Sequence, residues 1–167
     1  PDDLTFLVNS YLNRMATLAI EFGGTLDKFI GDGVLVFFGD PETKGIAEDA
    51  RAGVRMAHAM QAAGGDRHEV TLGQGIDAEI QVRLGIATGN GTGGHFGRES
   101  RMDYTILGKT VNLASRLETA ADPGCINIAR ETWLLVRDEF ACDELEPIRV
   151  KGFDQPVAVF RVHPSGA

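Results

Sequence analysis

The chain has 167 residues, 43% of them hydrophobic, with a formal net charge of −8 and a pI near 4.9. That length and apolar content suit one α/β domain with its own core, and the acidity excludes a general nucleic-acid surface, because phosphate backbones are held by clustered Lys and Arg. Only Cys125 and Cys142 occur, without CxxC spacing, which excludes a disulfide framework or zinc site and fits a reducing compartment.

Asp2 or Asp3 can cap a first helix in which Leu4, Leu7, Val8, Tyr11, Leu12, Met15, Leu18, Ala19 and Phe22 recur at helical spacing. Gly23-Gly24 stops it, and the spacing places Tyr11 and Met15 in the core. Thr25 to Asp40 then reads as two apolar strands folded around Gly31-Asp32-Gly33. Val34 to Phe38 lacks polar alternation, so cover on both faces is expected. Lys28 and Asp32 interrupt this unit with opposite charges. A tight Asp-Gly turn with Lys28 in solvent accounts for both. The flanking glycines also let other atoms approach the Asp32 carboxylate, which suits a magnesium ion and the phosphates it carries.

A second helix is expected from Ile46 to Ala63, with Ala50, Val54, Ala57, His58 and Met60 on its packed face; His58 has no metal-spaced partner and reads as structural. Gly64-Gly65-Asp66 and Gly73-Gln74-Gly75 bracket a polar loop, after which Ile80 to Ile86 alternates like a half-solvated strand. Thr88 to Gly97 carries five glycines in ten residues but lacks both a P-loop ending and GxGxxG spacing, so it reads as a mobile hairpin loop.

Asp103 to Leu107 reads as a strand, Gly108 as a turn, and Thr110 to Glu118 as a helix with Val111, Ala114 and Leu117 inward. Asn112 and Arg116 then share one helix face. They can offer a fixed hydrogen bond and a positive charge to a ligand at the strand's end, or be a solvated Asn and an Arg paired with a helix acid. Cys125 to Ile128 is a short strand, and Ala129 to Val136 a short helix carrying Trp133. Glu146 to Val150 and Val157 to Val162 form a final strand pair with Lys151-Gly152 at the bend. The expected class is α+β, an antiparallel-rich sheet with helices packed on one face and a C-terminal β extension.

Lys28-Phe29-Ile30-Gly31-Asp32, Tyr104-Thr105-Ile106-Leu107-Gly108, Val111-Asn112-Leu113-Ala114-Ser115-Arg116 and Val150-Lys151-Gly152 together resemble the class III nucleotidyl cyclase catalytic domain, in order and separation. The resemblance covers nearly the whole chain up to about Val162 and implies a ferredoxin-like, palm-type sheet. It lacks the family's opening strand, which ends in a metal-binding Asp; Asp2 and Asp3 lie in the wrong context to replace it. Residues 1–167 are thus expected to be a catalytic domain truncated at its N-terminus, and this piece alone is expected to be inactive.

The resemblance implies a role for each matching residue. Asp32 is similar to the second metal-binding aspartate, which with its missing partner holds two Mg2+ (or Mn2+) ions. Lys28 and Thr105 match the purine-reading pair of adenylyl cyclases. Asn112 orients the ribose, Arg116 meets charge growing on the α-phosphate, and Lys151 grips the terminal phosphates. Lys109 departs from the family, which often has Asp there. The implied activity is conversion of ATP to 3′,5′-cyclic AMP and pyrophosphate at the interface of a head-to-tail homodimer. The implied setting is cytoplasmic, in a signalling protein with regulatory or sensor domains and no nucleic-acid partner. The alternatives are a catalytically silent cyclase-like module that binds nucleotide or dimerises, a guanylate cyclase, and an RRM-like RNA binder, which the acidity and 7% aromatic content disfavour.

Overall fold

The structure, a computed structural model, describes the backbone of residues 2–30, 33–39, 42–73, 81–89 and 101–164, and side chains in 9–30, 33–39, 42–63, 81–89 and 107–164. Four helices and six strands follow in the order α1 (Asp2–Glu21), β1 (Thr25–Ile30), β2 (Gly33–Phe37), α2 (Ile46–Gly73), β3 (Leu84–Ile86), α3 (Arg101–Ala120), β4 (Ile126–Ala129), α4 (Arg130–Val136), β5 (Cys142–Ile148) and β6 (Val157–Val162). The expected α+β class, rich in antiparallel pairing, is the one found.

The strands form two sheets. β1 and β2 are an antiparallel hairpin, and the second sheet has the order β3-β4-β6-β5, with β3 parallel to β4 and the other pairs antiparallel. β4 and β6 lie in the middle of that sheet and are apolar at alternate positions on both sides. Ile126, Ile128, Phe160 and Val162 pack with Ala50, Val54 and Ala57 of α2 and Val136 of α4. Ala129 and Val159 pack with Leu113 and Leu117 of α3. Helices therefore cover both faces, rather than the single face expected, because strands apolar on both sides need cover on both.

α1 ends where Gly23 takes φ 86°: Gly23 N–H reaches the Ile20 carbonyl at 3.0 Å and Gly24 N–H the Ala19 carbonyl at 2.8 Å. That is a Schellman cap, which a glycine at positive φ supplies without strain. Met15 is 1% exposed and Tyr11 packs against its cluster, as the spacing requires. Val34, Val36 and Phe38 join this cluster, so the hairpin rests on α1, although β2 is half-buried throughout instead of covered on both faces.

His58 is structural, its Nε2 lying 3.0 Å from the His163 carbonyl and its ring edge-on to Phe140. Arg55 joins α2 to the segment after α4: Nε and Nη2 reach Glu139 at 3.0 and 2.8 Å, and Nη1 reaches Glu48 at 2.9 Å. The hydrogen bond from Arg55 holds Glu48 below the usual carboxylate range. Burial, with Asp143 beside it, pushes the Cys142 thiol up to about 11 and keeps it protonated at ordinary pH.

Several boundaries differ from expectation. α2 continues through Gly64 and Gly65 to Gly73, where a polar loop was expected. Each glycine costs about 1 kcal/mol relative to Ala, less than abandoning a helix already anchored by Ala50 to Ala63. β3 is confined to Leu84–Ile86, and β5 starts at Cys142 and ends before Val150. The largest change concerns Asp103 to Leu107 and Gly108, which are not strand and turn but the first turns of α3. The periodic helix that follows extends back through this segment and satisfies its backbone locally, and Gly108 lacks the positive φ of a turn. The glycine-rich residues 90–97 of the expected loop lie outside the described residues.

α3 lies against β3 at Gly85. A Cβ there would fall 2.1 Å from the Ala114 carbonyl oxygen and 2.5 Å from the Glu118 nitrogen, both backbone atoms of the helix. Gly85→Ala is therefore expected to lose about 1–3 kcal/mol by forcing α3 off the sheet. Gly108→Ala, in open space within the same helix, is expected to gain up to about 1 kcal/mol. Urea unfolding of both variants checks this; a loss at Gly108→Ala would mean a turn at that position.

Candidate active site

α3 is amphipathic, and its inward positions are Leu113 and Leu117, both buried, while Val111 and Ala114 are half-buried. This roll leaves Asn112 and Arg116, one helical turn apart, exposed on a common face. Asn112 Nδ2 donates to the main-chain carbonyl of Lys151 at 3.1 Å. Lys151 is the second residue of a tight turn closed by Phe153 N–H on the Val150 carbonyl at 3.1 Å, with Gly152 at φ 92°. A type II turn demands that φ at its third position, which explains why glycine follows the lysine. Val150 is buried against Leu113 and Leu117, and Phe153 packs on the same cluster, so the turn is rooted in the core that holds α3.

Lys109 gives a second tie, its ammonium 5.9 Å from the centre of the Phe153 ring, at the outer range of a cation–π contact. The departure from the family at this position therefore has a local partner.

Of the residues predicted from sequence, the structure ties Asn112 to Lys151, with Arg116 on the same face of α3 as Asn112. Lys28 is exposed on β1, paired with Leu35 beyond a bulge between Leu26 and Lys28. Its strand packs on β2 and α1, while α3 packs on β3 and β4, so Lys28 belongs to another part of the chain. An open cleft of about 410 Å³ near it is lined by Asn9, Leu12, Asn13 and Phe29. The Thr105 backbone lies in the first turns of α3, not on the expected strand, and its side chain lies outside the described residues. Asp32 also lies outside them, between the paired Ile30 and Gly33.

Among the described residues no group of three or more His, Cys, Asp or Glu side chains is gathered to hold a metal ion. The metal-binding candidate Asp32 is not among them, and the residue roles below are derived from the described cations and hydrogen-bond donors. Among the described residues no helix is long and apolar enough to cross a membrane. The chain's own reading missed Phe153 and Gly85; a glycine inside a strand was the available signal for the close helix contact at Gly85.

The sequence profile of the adenylate and guanylate cyclase catalytic domain matches residues 1–163. The chain belongs to this family. The adenylyl cyclase CyaB from P. aeruginosa is similar in structure, with a TM-score of 0.83, 41% identity, and coverage of 99% of this chain and 84% of that one. An adenylate cyclase of Anabaena cylindrica is 31% identical over 170 residues, 97% of this chain and 32% of that protein. The terminal-differentiation specific adenylate cyclase of Dictyostelium discoideum is 31% identical over 167 residues, 96% of this chain and 8% of that protein. This cyclase domain thus spans a third or less of those two relatives. Members of the family bind a nucleotide substrate, use divalent metal ions and work as dimers.

Removing the Asn112 amide should loosen the Lys151 turn without touching the core. Asn112→Ala and Asn112→Asp, neither able to donate to the Lys151 carbonyl, are each expected to cost about 1 kcal/mol in urea unfolding. An unchanged midpoint for both would show that the turn is held by Phe153 and Val150 alone.

Proposed function

We propose that this domain converts ATP to 3′,5′-cyclic AMP and pyrophosphate, as the adenylyl cyclase part of a longer signalling protein with its catalytic domain in the cytoplasm. The observation that carries the reading is the hydrogen bond from Asn112 to Lys151, which ties the face of α3 that bears Arg116 to the turn that bears Lys151. A fixed amide, a guanidinium and an ammonium so grouped suit a nucleoside triphosphate, whose charge is concentrated at one end.

Ring closure needs in-line positioning of the ribose 3′-oxygen on the α-phosphorus and neutralisation of the departing pyrophosphate. In this reading Asn112 orients the ribose, Arg116 meets charge growing on the α-phosphate with its planar fork, and Lys151 grips the terminal phosphates. No protein nucleophile is called for. Asp32, with the carboxylate the family carries upstream, would hold two divalent ions that supply acidity to the 3′-hydroxyl.

Asp32 falls between β1 and β2, while Asn112 and Arg116 stand on α3 and Lys151 follows β5. A head-to-tail homodimer completes two sites, each chain giving its metal-binding aspartate to one site and its purine-reading pair, its α3 face and Lys151 to the other. In a domain extended upstream to include the family's first strand, Asp32→Ala and Arg116→Ala are each expected to be inactive. Mixing the two is expected to restore one intact site per mixed dimer. Mixed dimers that form without regaining activity would place all the residues in one subunit.

Base choice rests on Lys28 and Thr105. An ammonium that only donates and a hydroxyl that does either match the ring nitrogen and exocyclic amine of adenine. Guanine inverts that edge and leaves polar groups unpaired at roughly 1–3 kcal/mol each. The extended domain is therefore expected to prefer ATP to GTP by at least about tenfold in kcat/KM. Lys28→Glu with Thr105→Cys is expected to erode that preference, and equal or GTP-favouring values in the unsubstituted domain would overturn the assignment.

A further inference from the structure

The four-stranded sheet carries a row of three residues that face one another across β3, β4 and β6: Gly85 is in register with Asn127, and Asn127 with Arg161. All three bear on the last turns of α3. Gly85 admits the helix backbone at Ala114 and Glu118. Asn127, only 1% exposed, donates from Nδ2 to the Leu117 carbonyl at 3.3 Å. Arg161 reaches past the helix end, its Nη2 2.7 Å from Oδ2 of Asp122.

The carbonyl of Leu117 is one of the last four of α3 and lacks the usual helical donor, since Ala121 N–H goes to Glu118 instead, at 3.1 Å. A carboxamide from the sheet thus finishes the helix. Burying one is costly when it is not fully paired, and an aliphatic residue would fill the same space between Ile126 and Ile128 at no such cost. Asn127 Oδ1 and Arg161 Nε are both buried without a hydrogen-bond partner among the described residues, an acceptor and a donor on directly paired residues. The same row therefore concentrates polarity where packing alone asks for none.

We infer that Asn127 and Arg161 are positioning residues for Arg116, acting through the end of α3. Arg116 immediately precedes Leu117, so the bond to the Leu117 carbonyl and the tether at Asp122 set the roll and axial position of the turn from which the guanidinium extends. The inference rests on the reading of Arg116 as the group that meets the α-phosphate. A displacement of about 1 Å in such a group can cost up to about a hundredfold in rate while leaving ground-state affinity nearly intact.

The test is a cycle of substitutions in the domain extended upstream, followed by steady-state kinetics with ATP and by urea unfolding. Asn127→Leu and Asn127→Asp both remove the donor to Leu117, and the aspartate keeps an acceptor opposite Arg161. Each is expected to lower kcat by about tenfold or more, with KM for ATP moved less than about twofold. Val54→Ala, buried against the opposite face of the sheet, is expected to lower the unfolding midpoint and leave kcat unchanged.

The decisive readout is coupling, read on the residual rate left when a point charge replaces the planar fork: in an Arg116→Lys background, adding Asn127→Leu should lower kcat far less than in the unsubstituted domain, because the fork it positions is already gone. Additive losses, or unchanged kcat in folded Asn127→Asp, would overturn the inference while leaving the role of Arg116 intact. Full activity in Arg116→Ala would overturn the site reading and this inference with it. Arg161→Leu, at a half-exposed side chain, gives the same readout should the Asn127 variants fail to fold.

Discussion

Backbone against backbone at Gly85 is the contact on which the arrangement of this domain depends. The helix can lie so close to β3 only because nothing projects from that position. The closeness lets Leu113 and Leu117 reach the core under the sheet and turns Asn112 and Arg116 outward. A wider gap would leave the same residues on the helix but change their height above the sheet, and with it their relation to Lys151. Local geometry at one glycine is thus carried into the placement of three polar groups far apart in sequence.

An acidic chain that is to hold a polyanion, as the proposed function requires, must solve its electrostatics locally. Several of its arginines are engaged elsewhere: Arg55 between Glu48 and Glu139, Arg51 on Glu48, and Arg161 on Asp122. These pairs are largely exposed, and each adds little to stability. They neutralise cations away from α3. Arg116 and Lys151 remain exposed, the first on the α3 face that Asn112 ties to the turn bearing the second, which leaves two cations for the phosphates of the proposed substrate.

Much of this was legible in the residues, and the parts that were not share a physical cause. The hairpin, the first helix with its Gly23-Gly24 stop, Trp133 on a short helix and the Lys151-Gly152 bend all rest on local signals, namely periodicity, capping and positive φ, which a short stretch expresses by itself. The segment from Asp103 to Gly108 shows the limit. Its β-branched and aromatic residues favour a strand, but whether such a segment pairs is decided by residues far away in the chain, and here the following helix extends back through it instead. The cover on both faces of β4 and β6 was missed for the same reason. The grouping of Asn112 with Arg116 followed from helical spacing alone, whereas the bond from Asn112 to Lys151 depends on a turn 39 residues away along the chain.

The strand order β3-β4-β6-β5 has a consequence for how the chain is made. β6, the last strand in sequence, does not lie at a margin; it fills the gap between β4 and β5, bonded to both. As the polypeptide leaves the ribosome, α1 and the first hairpin can assemble from neighbouring residues, but β4 keeps an unpaired inner edge until Val157–Val162 emerges. The sheet closes in one late step, so the nascent domain carries a bare, apolar strand edge from the emergence of Ala129 until Val157 and the residues after it follow. That interval, more than any feature of the finished fold, is when this chain is open to mispairing with another copy of itself and to capture by chaperones.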